Sequence, residues 1–124
     1  MTTELSRFEA RAQHCAFTDT DSALILHDII EQTAILVRTQ FGESNDAEVI
    51  GDVLHDLQEA ADYLHRFKSQ TININDWKYN LQAFSKAKAG VLYSLNRLQS
   101  ALRFGKLLPL SNATLEKQFA ALEQ

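Results

Sequence analysis

Apolar residues along this chain recur at intervals of three and four almost everywhere, the spacing of one helix face. The alternation by two that marks half-buried strands is missing. Polar punctuation cuts the pattern into segments. "TDTDS" (18–22) offers Thr and Asp caps before an apolar run, and Gly42 after Phe41 is a stop signal. Asn45 with Glu48 three residues on is a weaker form of the capping box. "SQTININD" (69–76) breaks the next helix, with Asn75 or Asn73 as the following cap, and Gly105 closes the helix after it. Pro109 prevents continuation, and Ser111 or Asn112 opens a terminal helix.

These signals predict a short helix over 4–15, long helices over 21–41, 46–68 and 75–104, and a final helix over 112–123. Short connections between long amphipathic helices favour antiparallel neighbours. The expected fold is all-α, a single-domain antiparallel up-down bundle over residues 1–124, with three long helices and shorter ones at the N- and C-termini.

The faces of those helices follow from the wheel. In 75–104, Trp77, Leu81, Phe84, Lys88, Val91, Leu95, Leu98 and Leu102 keep an alternating four-three spacing, that of a coiled-coil-like seam. Lys88 is its one polar knob, expected to reach water along its stem or to meet an acid across the bundle. In 46–68, Ile50, Val53, Leu54, Leu57, Ala60, Ala61 and Leu64 share one arc, with Phe67 at its edge. Asp52, His55, Glu59 and Asp62 lie opposite, on the wet side, while Asp56 and His65 occupy the flanks. In 21–41, Ile25, Leu26, Ile29, Ile30, Ala34, Leu36, Val37 and Phe41 form a broad apolar arc. Leu24 and Ile35 lie outside it, among His27, Asp28, Glu31 and Arg38. A helix apolar around most of its circumference is central or covered by another chain, so self-association as a homodimer is expected.

Composition adds bounds. At 124 residues and 45% hydrophobic, the chain has enough apolar material for one core without metal or disulfide staples. Its one cysteine, Cys15, forms no internal bridge, which suits a reducing, cytoplasmic setting. No basic-then-apolar leader opens the chain, and runs such as "LIL" and "LLPL" are too short to span a bilayer, so no membrane partner is expected. The net charge of -4 hides a division: residues 1–62 hold thirteen acids and three bases, whereas residues 63–124 hold nine bases and three acids. Acidic and basic helices lying side by side would explain it.

Candidate chemistry is sparse. "EVIGDVLHDL" resembles a segment of the all-helical MazG-type nucleotide pyrophosphatases, whose carboxylates bind magnesium on a helical bundle; Glu48, Gly51, Asp52, Val53 and Leu54 are the matching positions. The resemblance implies a divalent-metal enzyme with Glu48, Asp52 and Asp56 as candidate ligands. The family's preceding Glu-Glu-x-x-Glu motif is absent; "HDIIE" offers only Asp28 and Glu31 there. "RFEARAQH" is similar to the Arg-then-His pattern of HEPN-type nucleases, carried by Arg7 and His14. Cys15 next to His14 is no nucleophile-base pair, because adjacent side chains on a helix diverge. No glycine-rich phosphate loop or Cys-x-x-Cys pair occurs, and no cofactor is expected.

The remaining signal is a second stripe on helix 75–104, opposite its seam: Tyr79, Lys86, Tyr93, Arg97 and Phe104. Aromatics and Arg are the usual anchors of protein interfaces. The sequence therefore predicts a non-enzymatic protein-protein interaction module, an adaptor, regulator, inhibitor or secretion-type chaperone. The stripe would face a protein with an acidic surface, with Leu24 and Ile35 as secondary contacts. A metal-dependent enzyme is the alternative. A nucleic-acid-binding regulator ranks third, since the chain is acidic overall.

Overall fold

The computed structural model describes residues 2–18, 21–41, 45–65 and 74–108. Among them the regular elements are four α-helices: α1 (Thr2–His14), α2 (Ser22–Gln40), α3 (Ala47–His65) and α4 (Ile74–Arg103). They pack against one another around one core, an all-α arrangement, and none is long and apolar enough to cross a membrane. The expected helix over 112–123, residues 66–68 of the third predicted helix, and the side chain of Trp77 lie outside the described set.

Local chemistry explains several of the described boundaries. Asp46, not Asn45, caps α3: its Oδ1 accepts the N–H groups of Glu48 and Val49 at 3.1 and 3.3 Å. Asn45 instead grips the backbone of Leu108, donating to its carbonyl at 2.9 Å and accepting its N–H at 2.6 Å. A primary amide matches both halves of a peptide group, whereas a carboxylate only accepts and suits the positive end of the helix. At the start of α2, Asp21 makes no capping bond with its side chain. The hydroxyl of buried Ser22 accepts the Ala16 N–H at 2.9 Å and ties the end of α1 to α2.

α4 stops where the sequence predicts. Gly105 has φ +74°, a left-handed conformation that costs other residues about 1–2 kcal/mol. There the N–H of Lys106 reaches the Ala101 carbonyl at 2.8 Å, and that of Gly105 reaches Leu102 at 3.3 Å. This is a Schellman closure, which satisfies carbonyls that the helix end would otherwise orphan. It turns Leu107 fully into the core.

The core is built from Leu26, Ile29 and Val37 of α2, Val53 and Leu57 of α3, and Val91, Leu95 and Leu98 of α4, with Leu5 and Ala12 of α1 closing it. On α3 the buried arc is rotated from the expected one: Val49 is buried, while Ile50 and Leu54 are half-buried. On α4 the apolar seam is buried at Phe84, Val91, Leu95 and Leu98 but only half-buried at Leu81, Lys88 and Leu102. The burial shifts toward a column at every seventh position, Asn80, Ala87, Ser94 and Ala101, all buried. These residues are short, so neighbouring helices close down on them; polarity at Asn80 and Ser94 hides this from a purely apolar pattern.

α3 and α4 share the largest interface. Two of its contacts run in opposite chain order, Asp52 of α3 meeting Arg97 of α4 and Tyr63 meeting Lys86. α1 meets α4 the same way, through Glu9 with Gln99 (2.6 Å) and the end of α1 with Lys88. The acidic third helix thus lies on the basic fourth, with Asp52 and Arg97 paired across them.

Lys88 meets backbone oxygens rather than an acid across the bundle. Its ammonium donates to the carbonyls of Gln13 and Cys15 at 3.0 and 2.7 Å. Those carbonyls lie at the C-terminal end of α1, where oxygens lack intrahelical partners and the helix dipole is negative. A cation from another helix satisfies both needs at once.

The hydroxyls of Thr33 and Ser94 are buried without a hydrogen-bond partner among the described residues. A buried polar group left unpaired costs about 1–3 kcal/mol. Ser94→Ala is therefore expected to raise stability by about 1 kcal/mol, read as a higher urea midpoint at unchanged m-value. A lower midpoint would mean that the hydroxyl is bonded.

Candidate interaction surfaces

The α4 stripe is assembled as the wheel places it, and three of its five members face outward. Tyr79, Tyr93 and Phe104 are 44%, 58% and 73% exposed. The two cations are engaged on α3. Arg97 Nη2 lies 2.9 Å from Asp52 Oδ2 in a half-buried pair. Lys86 Nζ sits 5.4 Å above the centre of the Tyr63 ring, a cation–π contact. Because the stripe runs beside the α3–α4 seam, its positive charge is partly answered from within the chain. Such half-exposed ion pairs are worth about 0–1 kcal/mol.

On α2, Leu24 is 73% and Ile35 52% exposed. At 100° per residue the two fall on one line along the outer side of the helix. Asp28 of this side reaches Arg11 of α1 at 3.4 Å, both half-exposed. His27 Nδ1 lies 3.6 Å from Glu31 one turn on. Beside Ile35 runs an α2–α3 groove of about 310 Å³, floored by Ile30, Ala34, Leu57 and Ala61. His27 and His65 close one end, edge to face with ring centroids 5.9 Å apart. Arg38 lies toward the other end.

His65, placed on the flank of its helix by the wheel, does meet another helix here. Its neighbour His27 is a residue that sequence reasoning did not pair with it. Tyr63 and Asp52 were likewise missed as members of the α4 surface, since only the tertiary register brings them there. Asp56, on the other flank, makes no ion pair or side-chain hydrogen bond among the described residues.

The candidate metal ligands sit apart in function. Glu48, Asp52 and Asp56 lie at successive turns of α3, but Asp52 is taken by Arg97 and Glu48 is exposed. Among the described residues, no three His, Cys, Asp or Glu side chains converge with metal-binding geometry. Arg7 and His14 are both exposed on α1. Cys15 is buried, and its thiol donates to the Arg11 carbonyl at 3.4 Å, so it caps and packs the end of α1.

The chain matches no protein-family model, no curated protein and no solved structure. Its surfaces are therefore interpreted from their own chemistry.

Proposed function

We propose that this protein is a non-enzymatic interaction module that captures another protein with the outer face of α4, and that it also self-associates. The observation that supports this most is the outward stand of Tyr79 and Tyr93 on α4 and of Phe104 just past its end, all three exposed among the described residues. Rings of this kind bury large areas at low conformational cost, and the tyrosine hydroxyls stay wet at a rim. The mechanism is insertion of Tyr93 and Phe104 into apolar hollows of the partner. Lys86 and the exposed side of Arg97 then favour a partner rimmed with acidic groups. An adaptor, regulator, inhibitor or chaperone in the cytoplasm would use such a surface.

The double variant Tyr93→Ala/Arg97→Ala tests this. Interface anchors of this type cost about 2 kcal/mol or more when truncated. Quantitative affinity capture from the native host is expected to lose its specific partner by at least about tenfold, while far-UV circular dichroism stays unchanged. Unchanged capture by a folded variant would make the stripe structural.

A further inference from the structure

We propose that the outer face of α2 is the self-association surface, on which two copies of this chain pair their α2 helices antiparallel. The inference rests on the interaction reading above and names the partner for its α2 side. Leu24, Asp28, Glu31, Ile35 and Arg38 keep a four-three-four-three spacing, the period of a helix-helix seam, yet they point outward. Leu24 and Ile35 are the exposed apolar members.

Charge decides both the partner and the direction. The acids Asp28 and Glu31 precede Ile35, and the base Arg38 follows it. Arg38 is exposed and has no ion-pair partner among the described residues. Two α2 helices laid parallel would set acids against acids and Arg38 against Arg38. Laid antiparallel about a two-fold axis near Ile35, each Arg38 faces the Asp28–Glu31 turn of the other copy, twice over. A face with opposite charges at its two ends is complementary to itself in this orientation alone, which is what an isologous interface requires. Asp28 already has Arg11 at a long 3.4 Å and Glu31 has His27 at 3.6 Å, so the incoming Arg38 shares these carboxylates with groups of its partner's own chain. The shape agrees. Ile35 stands at the rim of the groove floored by Ile30, Ala34, Leu57 and Ala61, so an axis near Ile35 sets the two Ile35 side chains against each other where the two grooves open.

Sedimentation equilibrium on the purified full-length chain tests this with Arg38→Glu, Glu31→Arg and their equimolar mixture, circular dichroism confirming that each is folded. The expected result is a wild-type dimer whose association weakens at least tenfold in Arg38→Glu. The mixture is then expected to recover near-wild-type association as a heterodimer, because each reversed charge meets its opposite. A monomeric wild type overturns the proposal. So does a dimer indifferent to Arg38→Glu, or a mixture that fails to recover. Tyr93→Ala/Arg97→Ala, run alongside, is expected to dimerise normally; if it does not, the interface belongs to α4 and the proposal falls. Partner capture is read in a separate assay, so the α4 capture reading stands or falls apart from this one, whereas a monomeric wild type removes self-association from both.

Discussion

Leu95→Ala is expected to lower stability by about 2–5 kcal/mol, the largest loss from any single truncation considered for this chain. Leu95 is fully buried on α4 with Val91 and Leu98, where the helix faces the packed interior. Deleting its branched end forfeits the transfer free energy of the removed carbons and leaves a cavity. Rigid helices on either side cannot fully collapse into it. Urea denaturation is expected to show a lower midpoint at unchanged m-value, and the melting temperature is expected to fall by roughly 10 °C. A loss below about 1 kcal/mol would place Leu95 outside the packed core.

The second large effect concerns Gly90, where α4 faces Ala60 of α3. A Cβ placed on Gly90 would sit 3.4 Å from Ala60 Cβ and 3.9 Å from the Asp56 carbonyl oxygen. Gly90→Ala is expected to be neutral to stabilising by up to about 1 kcal/mol, since the methyl adds helix propensity and meets Ala60 at ordinary van der Waals distance. Gly90→Leu cannot be accommodated without moving α3 away, and is expected to destabilise by about 1–3 kcal/mol or more. Gly90 lies between Lys86 and Arg97 in sequence, and Ala60 lies between Asp52 and Tyr63. Prising the helices apart there loosens both cross-helix contacts that shape the α4 stripe. The measurement is a urea midpoint for both variants with near-ultraviolet circular dichroism of the tyrosines. A Gly90→Leu protein as stable as wild type would mean that α3 and α4 do not approach at this level.

Much of the fold is legible in the sequence because it depends on local periodicity. The three-and-four spacing identifies the four described helices, whose ends fall within a few residues of those predicted. Gly105 is legible as a stop because a left-handed residue selects glycine by sterics alone. The outward positions of Leu24, Ile35, Tyr79, Tyr93 and Phe104 are legible as well, since a wheel reports direction around an axis. Less legible is how far the buried arc extends. On α4 it takes in Asn80 and Ser94, which a hydropathy pattern assigns to water, because the wheel knows polarity and not the short reach that lets a neighbour approach.

What a side chain touches on another helix is outside the reach of any local pattern. Lys88 reads as a flaw in a seam; only the position of α1's last turn makes it a cap for two orphan carbonyls. Asn45 reads as a helix cap, and its engagement with Leu108, sixty-three residues away, leaves that task to Asp46. Asp52 reads as one of a row of carboxylates suited to a cation, and the register of α3 on α4 gives it to Arg97. In each case the residue's hydrogen-bonding capacity is written in its side chain, while its partner is set by which helices lie side by side and in what register. Helix positions and their inward and outward faces were thus determined by the sequence itself, through backbone periodicity and hydrophobic patterning. The pairing of polar groups, and with it the shape of both candidate surfaces, was decided by the tertiary structure, because such pairs form across distances that no local pattern spans.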